Sequence, residues 1–200
     1  MQQRLSAKPL IKTFFLILTI LLLAEGLYMY LSLWQYEKNR FKADESELKL
    51  IINEAKAVPD ALFDTLISKD NVISIFELAS TQDEQIKSEV RNKLYTLLRA
   101  DYKKMQKYGV QQLHFHLPNN ESFLRFHRPA RFGDDLTSVR SSVRLVNAHL
   151  RPEFGFEEGR IFNGYRFVYP MFNRSGKHIG SVEISTSLLS LLLISTSSLL

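Results

Sequence analysis

From Phe14 to Trp34 the chain runs FFLILTILLLAEGLYMYLSLW, 21 positions that are nearly all apolar, with Glu25 as the one ionisable residue. At 1.5 Å per residue a helix of this length measures about 30 Å, enough to cross a hydrocarbon core. The run is long for a secretory signal, and Ala24-Glu25-Gly26 is a poor small-x-small cleavage site, so an uncleaved transmembrane helix is expected over 14–34. Tyr28, Tyr30, Trp34 and Tyr36 belong at the outer headgroup level, and Glu25, two turns from them, is expected to snorkel. Arg4, Lys8 and Lys12, with no acid among them, place residues 1–13 in the cytoplasm and everything after Tyr36 outside it.

Beyond the apolar run the period becomes helical. Phe41, Leu48, Ile51, Ile52 and Ala55 give residues 37–57 an amphipathic face, and Pro59 is expected to interrupt it. Two short helical segments are predicted over 60–68 and 71–79, with Asp70-Asn71 placed to cap the second. Thr81 and Glu84 have the spacing of a capping box. Ile86, Val90, Leu94, Leu97 and Leu98 then mark the face of a helix reaching Tyr108, with Gly109 at its end.

Past Gly109 the period falls to two. Residues 112–117 and 121–127 alternate on either side of Pro118-Asn119-Asn120 and predict a hairpin. A helix is predicted from about Ser138 to Leu150, then strands over 154–160, 165–172 and 178–185 with turns at Asn163-Gly164 and Ser175-Gly176. Two strands, a helix and three antiparallel strands is a PAS-like layout. The predicted fold class is α+β: cytoplasmic residues 1–13, a transmembrane helix over 14–34, a helical stalk over 37–108, a sheet domain over 110–187, and an apolar tail over 188–200 read as a truncated continuation.

Composition narrows the chemistry. Cysteine is absent, which removes disulfides, thiolate metal sites and cysteine nucleophiles. The net charge of +5 has no clustered basic face behind it: residues 37–108 hold 13 basic and 13 acidic groups. No nucleic-acid partner is expected. Glycine-rich phosphate loops, G-x-S-x-G and H-E-x-x-H are missing, so no enzymatic activity and no cofactor are expected.

LHFHLP (113–118), SFLRFHRP (122–129), FGDDL (132–136), GFEEGR (155–160) and HIGSVEIS (178–185) resemble, in that order, the membrane-distal part of the sensor domains of the third double-Cache family. The resemblance implies the extracytoplasmic sensing region of a bacterial chemoreceptor, diguanylate cyclase or histidine kinase. It implies a homodimer joined through the stalk helices, a second Cache subdomain, a second membrane helix and an output module.

Strand alternation puts Arg125 and His127 on one face. With Tyr165, Arg166 and the helix residues Arg140 and Arg144 they are the candidate ligand-binding set, and guanidinium groups suit a small anionic ligand. Asp134, Asp135, Glu157 and Glu183 are expected to form a structural polar network pairing those arginines. His114, His116 and His127 with a carboxylate could make a tetrahedral metal site, but no metal is expected, because strand histidines can equally be satisfied by backbone carbonyls. The expected partners are therefore the anionic ligand, membrane lipid around 14–34 and a second copy of the chain. A membrane-anchored scaffold that binds another protein is the alternative.

Overall fold

The computed structural model describes residues 7–81, 83–158 and 163–187, apart from the side chains of 7–10, 43–48 and 51. The tail at 188–200 and the 159–162 part of the predicted β-hairpin lie outside the described residues. The chain divides into two units, Met1–Leu50 and Ile51–Leu200.

The first unit consists of helix α1, which spans Ala7–Leu62 and continues into the second. Its stretch Ile11–Lys42 is long and apolar enough to cross a membrane. Thr19 and Ser32 turn their hydroxyls back to the carbonyls of Phe15 and Met29, which pairs both hydroxyls within the helix. The Lys38 ammonium lies 4.8 Å from the centre of the Trp34 ring, inside the aromatic cluster.

In the second unit Pro59 does not interrupt α1. It sits inside the helix and is buried, so packing outweighs the missing N–H. The break comes four residues later, as a π-helical turn over Phe63–Ile67. Helix α2 (Asp70–Glu77) and helix α3 (Glu84–Lys107) follow. The cap of α3 is Asp83, whose side chain accepts from the Gln85 and Ile86 amides, in place of the Thr81 capping box; Thr81 instead accepts from the Asp83 amide. Its buried face is Val90, Leu94, Leu98, Tyr102 and Met105, while Ile86 and Leu97 are exposed.

Strands β1 (Val110–His116), β2 (Ser122–Arg125), β3 (Glu153–Glu157), β4 (Gly164–Phe172) and β5 (His178–Thr186) form one antiparallel sheet in the order β2-β1-β5-β4-β3. Helix α4 (Ser141–His149) lies between β2 and β3 in sequence. The expected α+β class is therefore observed, with one five-stranded antiparallel sheet. The β1–β2 turn uses Asn120 at φ 67, and the β4–β5 turn is closed by Asn173, whose Oδ1 accepts from Ser175 and Lys177 amides.

The two faces of the sheet differ. Leu113, Phe115, Phe167, Tyr169, Val182 and Ile184 join one apolar core with α2, α3 and the end of α1. At its centre the Phe76 ring stands 5.2 Å from Phe115 and 5.6 Å from Phe123. Gly180, at φ +135, lets β5 pass against this cluster; a β-carbon there would drive into the His116 carbonyl and meet the Phe76 ring.

Candidate functional site

The other face is polar and buried. Register places His114 opposite Arg125 on β2 and opposite Glu183 on β5, His116 opposite Ser181, and Arg166 opposite Ser185. All seven of these residues are at most 9% exposed. Helix α4 packs on this side of the sheet, its Val143 and Val146 clustering with Val168 of β4. Most of these buried polar groups find partners in one another, while His116 Nε2 and Glu183 Oε2 have none.

The pairing is organised around two arginines. Arg125 forks onto Asp134 with two bonds of 2.7 Å and donates to the Arg131 carbonyl at 2.9 Å. That pairing holds the Asp134 carboxyl below its usual range. Arg166, fully buried, pairs with Glu183, lies 3.3 Å from Glu157 and reaches Gln112. Burial raises the Glu183 carboxyl, but Arg166, His116 and Arg140 outweigh it and leave the net shift downward.

Glu157 does more than pair. It accepts from Ser141 Oγ at 2.6 Å and from the Ser142 amide at 2.8 Å, so a carboxylate of β3 caps the N-terminus of α4. The residue at the N-cap position, Arg140, makes no side-chain cap; it donates to the carbonyls of Val139 and Glu158. A chain of contacts thus runs from Glu183 through Arg166 and Glu157 to the first turn of α4.

The histidines are held neutral. Burial pushes His116 down to about 4 and His114 well below its ordinary value, with neighbouring arginines adding to both shifts. His114 Nε2 lies 2.8 Å from Ser122 Oγ and His116 Nδ1 lies 3.3 Å from Ser181 Oγ. Burial likewise lowers His127, half-buried on the loop after β2, to about 4.

Of the residues expected at the site, Arg125, His127, Arg140 and Arg166 stand on or beside this face, with Asp134, Glu157 and Glu183 as their partners. Tyr165 does not: it is the strand neighbour of Arg166, so it projects to the opposite side, where it meets Phe156 edge-on. Arg144 is exposed on α4, because Val143 and Val146 take the inward positions. Asp135 is also exposed and caps the turn at Thr137. Ser122, Ser181, Ser185 and Gln112 were not anticipated. The polar alternation Ser181, Glu183, Ser185 on β5 carried the signal, since three polar side chains two apart on a central strand must share a face. An apolar hollow of about 390 Å³ lies elsewhere, between the π-helical turn and the far end of β4, lined by Phe63, Ile73, Leu150, Tyr169 and Met171. It has no charged lining group.

The buried polar sheet face and the helix that covers it lie within the part of the chain that a family model matches. The family model described as the double sensory domain of two-component sensor kinases matches residues 67–196. The chain belongs to this double-Cache family. The solved structures similar to this double-Cache chain include the Vibrio cholerae histidine kinase DctB sensor domain, with TM-score 0.55 and 16% identity over 76% of this chain and 58% of that one. The Escherichia coli DcuS sensor domain matches with TM-score 0.46 and 15% identity over 73% and 97%. The ligand-binding domain of the Campylobacter jejuni chemoreceptor Tlp3 in complex with 4-methylisoleucine matches with TM-score 0.42 and 13% identity over 75% and 62%. At such identities the DctB likeness shows the fold alone, and the chain spans a little over half of that sensor domain. No curated protein sequence matches the chain. The double-Cache domain is thus of a type that senses ligands rather than catalyses, and it accompanies one N-terminal helix able to cross a membrane.

Proposed function

We propose that this double-Cache chain is the extracytoplasmic small-ligand-sensing region of a single-pass inner-membrane signalling receptor of the chemoreceptor, diguanylate cyclase or histidine kinase type. Its N-terminus is cytoplasmic, and two copies associate through the helices of 37–108. The ligand is taken between the polar sheet face and α4. The observation that carries this reading is the buried network from Glu183 through Arg166 and Glu157 to the cap of α4. A ligand that competes for any member changes how α4 sits on the sheet, and unequal binding to the two arrangements is what a signal requires.

The output path is supported by β4, which serves both faces. Arg166 projects to the polar side, while Tyr169 projects to the other, donating to Asp60 at 2.6 Å and stacking on Phe63 at 4.5 Å. Asp60 lies in the last turn of α1 and Phe63 opens the π-helical turn. With Arg125 and Arg166 already paired, a small anion would draw on Arg140 or displace a carboxylate.

The test is thermal unfolding of the full chain in nanodiscs against carboxylates, amino acids, phosphates and amines. At a hundredfold excess over Kd a binder adds about 2.7 kcal/mol, or about 5–10 °C for a domain of this size. If no class moves the transition of a folded chain, the sensing reading fails.

A further inference from the structure

Three residues able to ligate a cation converge on the buried face, and two of them bring an atom that has no hydrogen-bond partner. His114, His116 and Glu183 each bring one ligand atom to a cluster whose members lie within 4.8 Å of one another. The two rings are 4.0 Å apart, centre to centre. His116 Nε2 and Glu183 Oε2 are buried and have no hydrogen-bond partner, and their side chains are 0% exposed. Ser122 takes Nε2 of His114, which leaves Nδ1 as that ring's remaining nitrogen, and Ser181 takes Nδ1 of His116. A buried polar atom without a partner is costly, and a cation among these donors would satisfy His116 Nε2 and Glu183 Oε2 together.

We propose that His114, His116 and Glu183 bind a divalent transition-metal ion of the zinc, cobalt or nickel kind. The inference rests on reading the polar face as the ligand site, and it names the ligand class. Two imidazoles and a carboxylate are a donor set suited to these ions. The serines supply the outer-shell contact that metal-bound histidines require, fixing each tautomer through the nitrogen that does not ligate. Placement follows from strand register: His114 and His116 share a face two residues apart, and Glu183 sits opposite His114 on the adjacent strand. Donors around zinc at about 2.0–2.1 Å stand about 3.3 Å from one another, so side-chain torsions of about an ångström close the site.

Arg166 is shared between Glu183 and Glu157, and Arg125 is paired with Asp134, so Glu183 is the anionic donor that would offset part of the ion's charge. Glu183 keeps Arg166 and Ser185 on Oε1 and offers Oε2 to the ion. Three protein donors leave a fourth position for water or for the carboxylate of a second ligand. Ion entry would pull Glu183 against Arg166, the link that leads to α4.

The test is equilibrium dialysis of the tag-free full chain in nanodiscs against zinc ion, with cobalt ion as an absorption reporter of the donor set. The expected result is one zinc per chain and a cobalt spectrum of nitrogen-and-oxygen ligation. In His114→Gln and His116→Gln the affinity falls by no less than about 10–100-fold, the cost of losing an outer-shell partner alone, while exposed His149→Gln leaves it unchanged. Absence of stoichiometric binding by the wild-type chain overturns the proposal whether or not the variants fold, as does binding that survives both substitutions. If zinc fails while an organic compound raises the unfolding temperature, this inference falls and the sensing reading stands. If both fail, so does the reading beneath it.

Discussion

Replacing Arg166 by Met removes the cation from a site where Glu183 is fully buried and, among the described residues, keeps Ser185 as its other hydrogen-bond partner. Stranding a buried charge in this way costs about 3–5 kcal/mol, whereas replacing both members of such a pair by apolar residues is neutral or stabilising. Arg166→Met should therefore lose several kcal/mol, a large part of the about 5–15 kcal/mol of a typical domain. Arg166→Met with Glu183→Met should recover most of it. The recovery is incomplete because Glu157 also loses Arg166, although it keeps Ser141 and Ser142 and is only partly buried. The one tryptophan, Trp34, lies in the apolar helix and reports on the wrong unit. The assay is accordingly urea denaturation followed by hydrogen exchange of β4 and β5 peptides. A double variant as unstable as the sum of the two single ones would refute the reasoning, because the carboxylate would then not depend on the guanidinium.

Other perturbations probe separate elements. The unfolded His127 imidazole takes a proton as pH falls through its ordinary value near 6.5, while the folded one stays neutral down to about 4. Stability should therefore decline from pH 6.5 toward 4, with His114 and His116 contributing in the same window, and His127→Gln should make the decline shallower by its own share in urea titrations at fixed salt; an unchanged slope would count against its burial. Gly180→Ala forces a side chain into a positive-φ position against the His116 carbonyl, and a loss of about 2 kcal/mol or more is expected in thermal unfolding. Tyr169→Phe removes the donor to Asp60 and should cost about 1.5–3 kcal/mol, with faster hydrogen exchange at 62–67 than in α3.

Much of the fold was legible because burial on one side imposes a period. All five strands and α4 fall where alternation and turn residues put them, and the Asn173 and Asn120 turns obey local chemistry. What escaped depends on tertiary contact. Pro59 reads as a stop in isolation, yet the buried helix runs past it, and nothing local announces the π-helical turn. At the site, the pairing of Arg125 with Asp134 and of Arg166 with Glu183 was within reach of residue chemistry. Tyr165 was misassigned for a reason the chain itself contains: adjacent strand residues cannot share a face, so Tyr165 and Arg166 exclude each other. Arg144 needed knowledge of which helix positions the valines occupy, and the convergence of His114 with Glu183 needed the β1–β5 register.

Helix α4 has nine residues, too few to persist unaided in water, and the group that seals its first turn belongs to a strand that follows it in the chain. Its order is borrowed. During synthesis the segment can settle only after β3 has emerged and docked, and in the finished protein it should be the first element to come loose whenever Glu157 is drawn elsewhere. Limited proteolysis near Ser141 would then track occupancy of the polar face, offering a reporter that needs neither a known ligand nor an intact output partner.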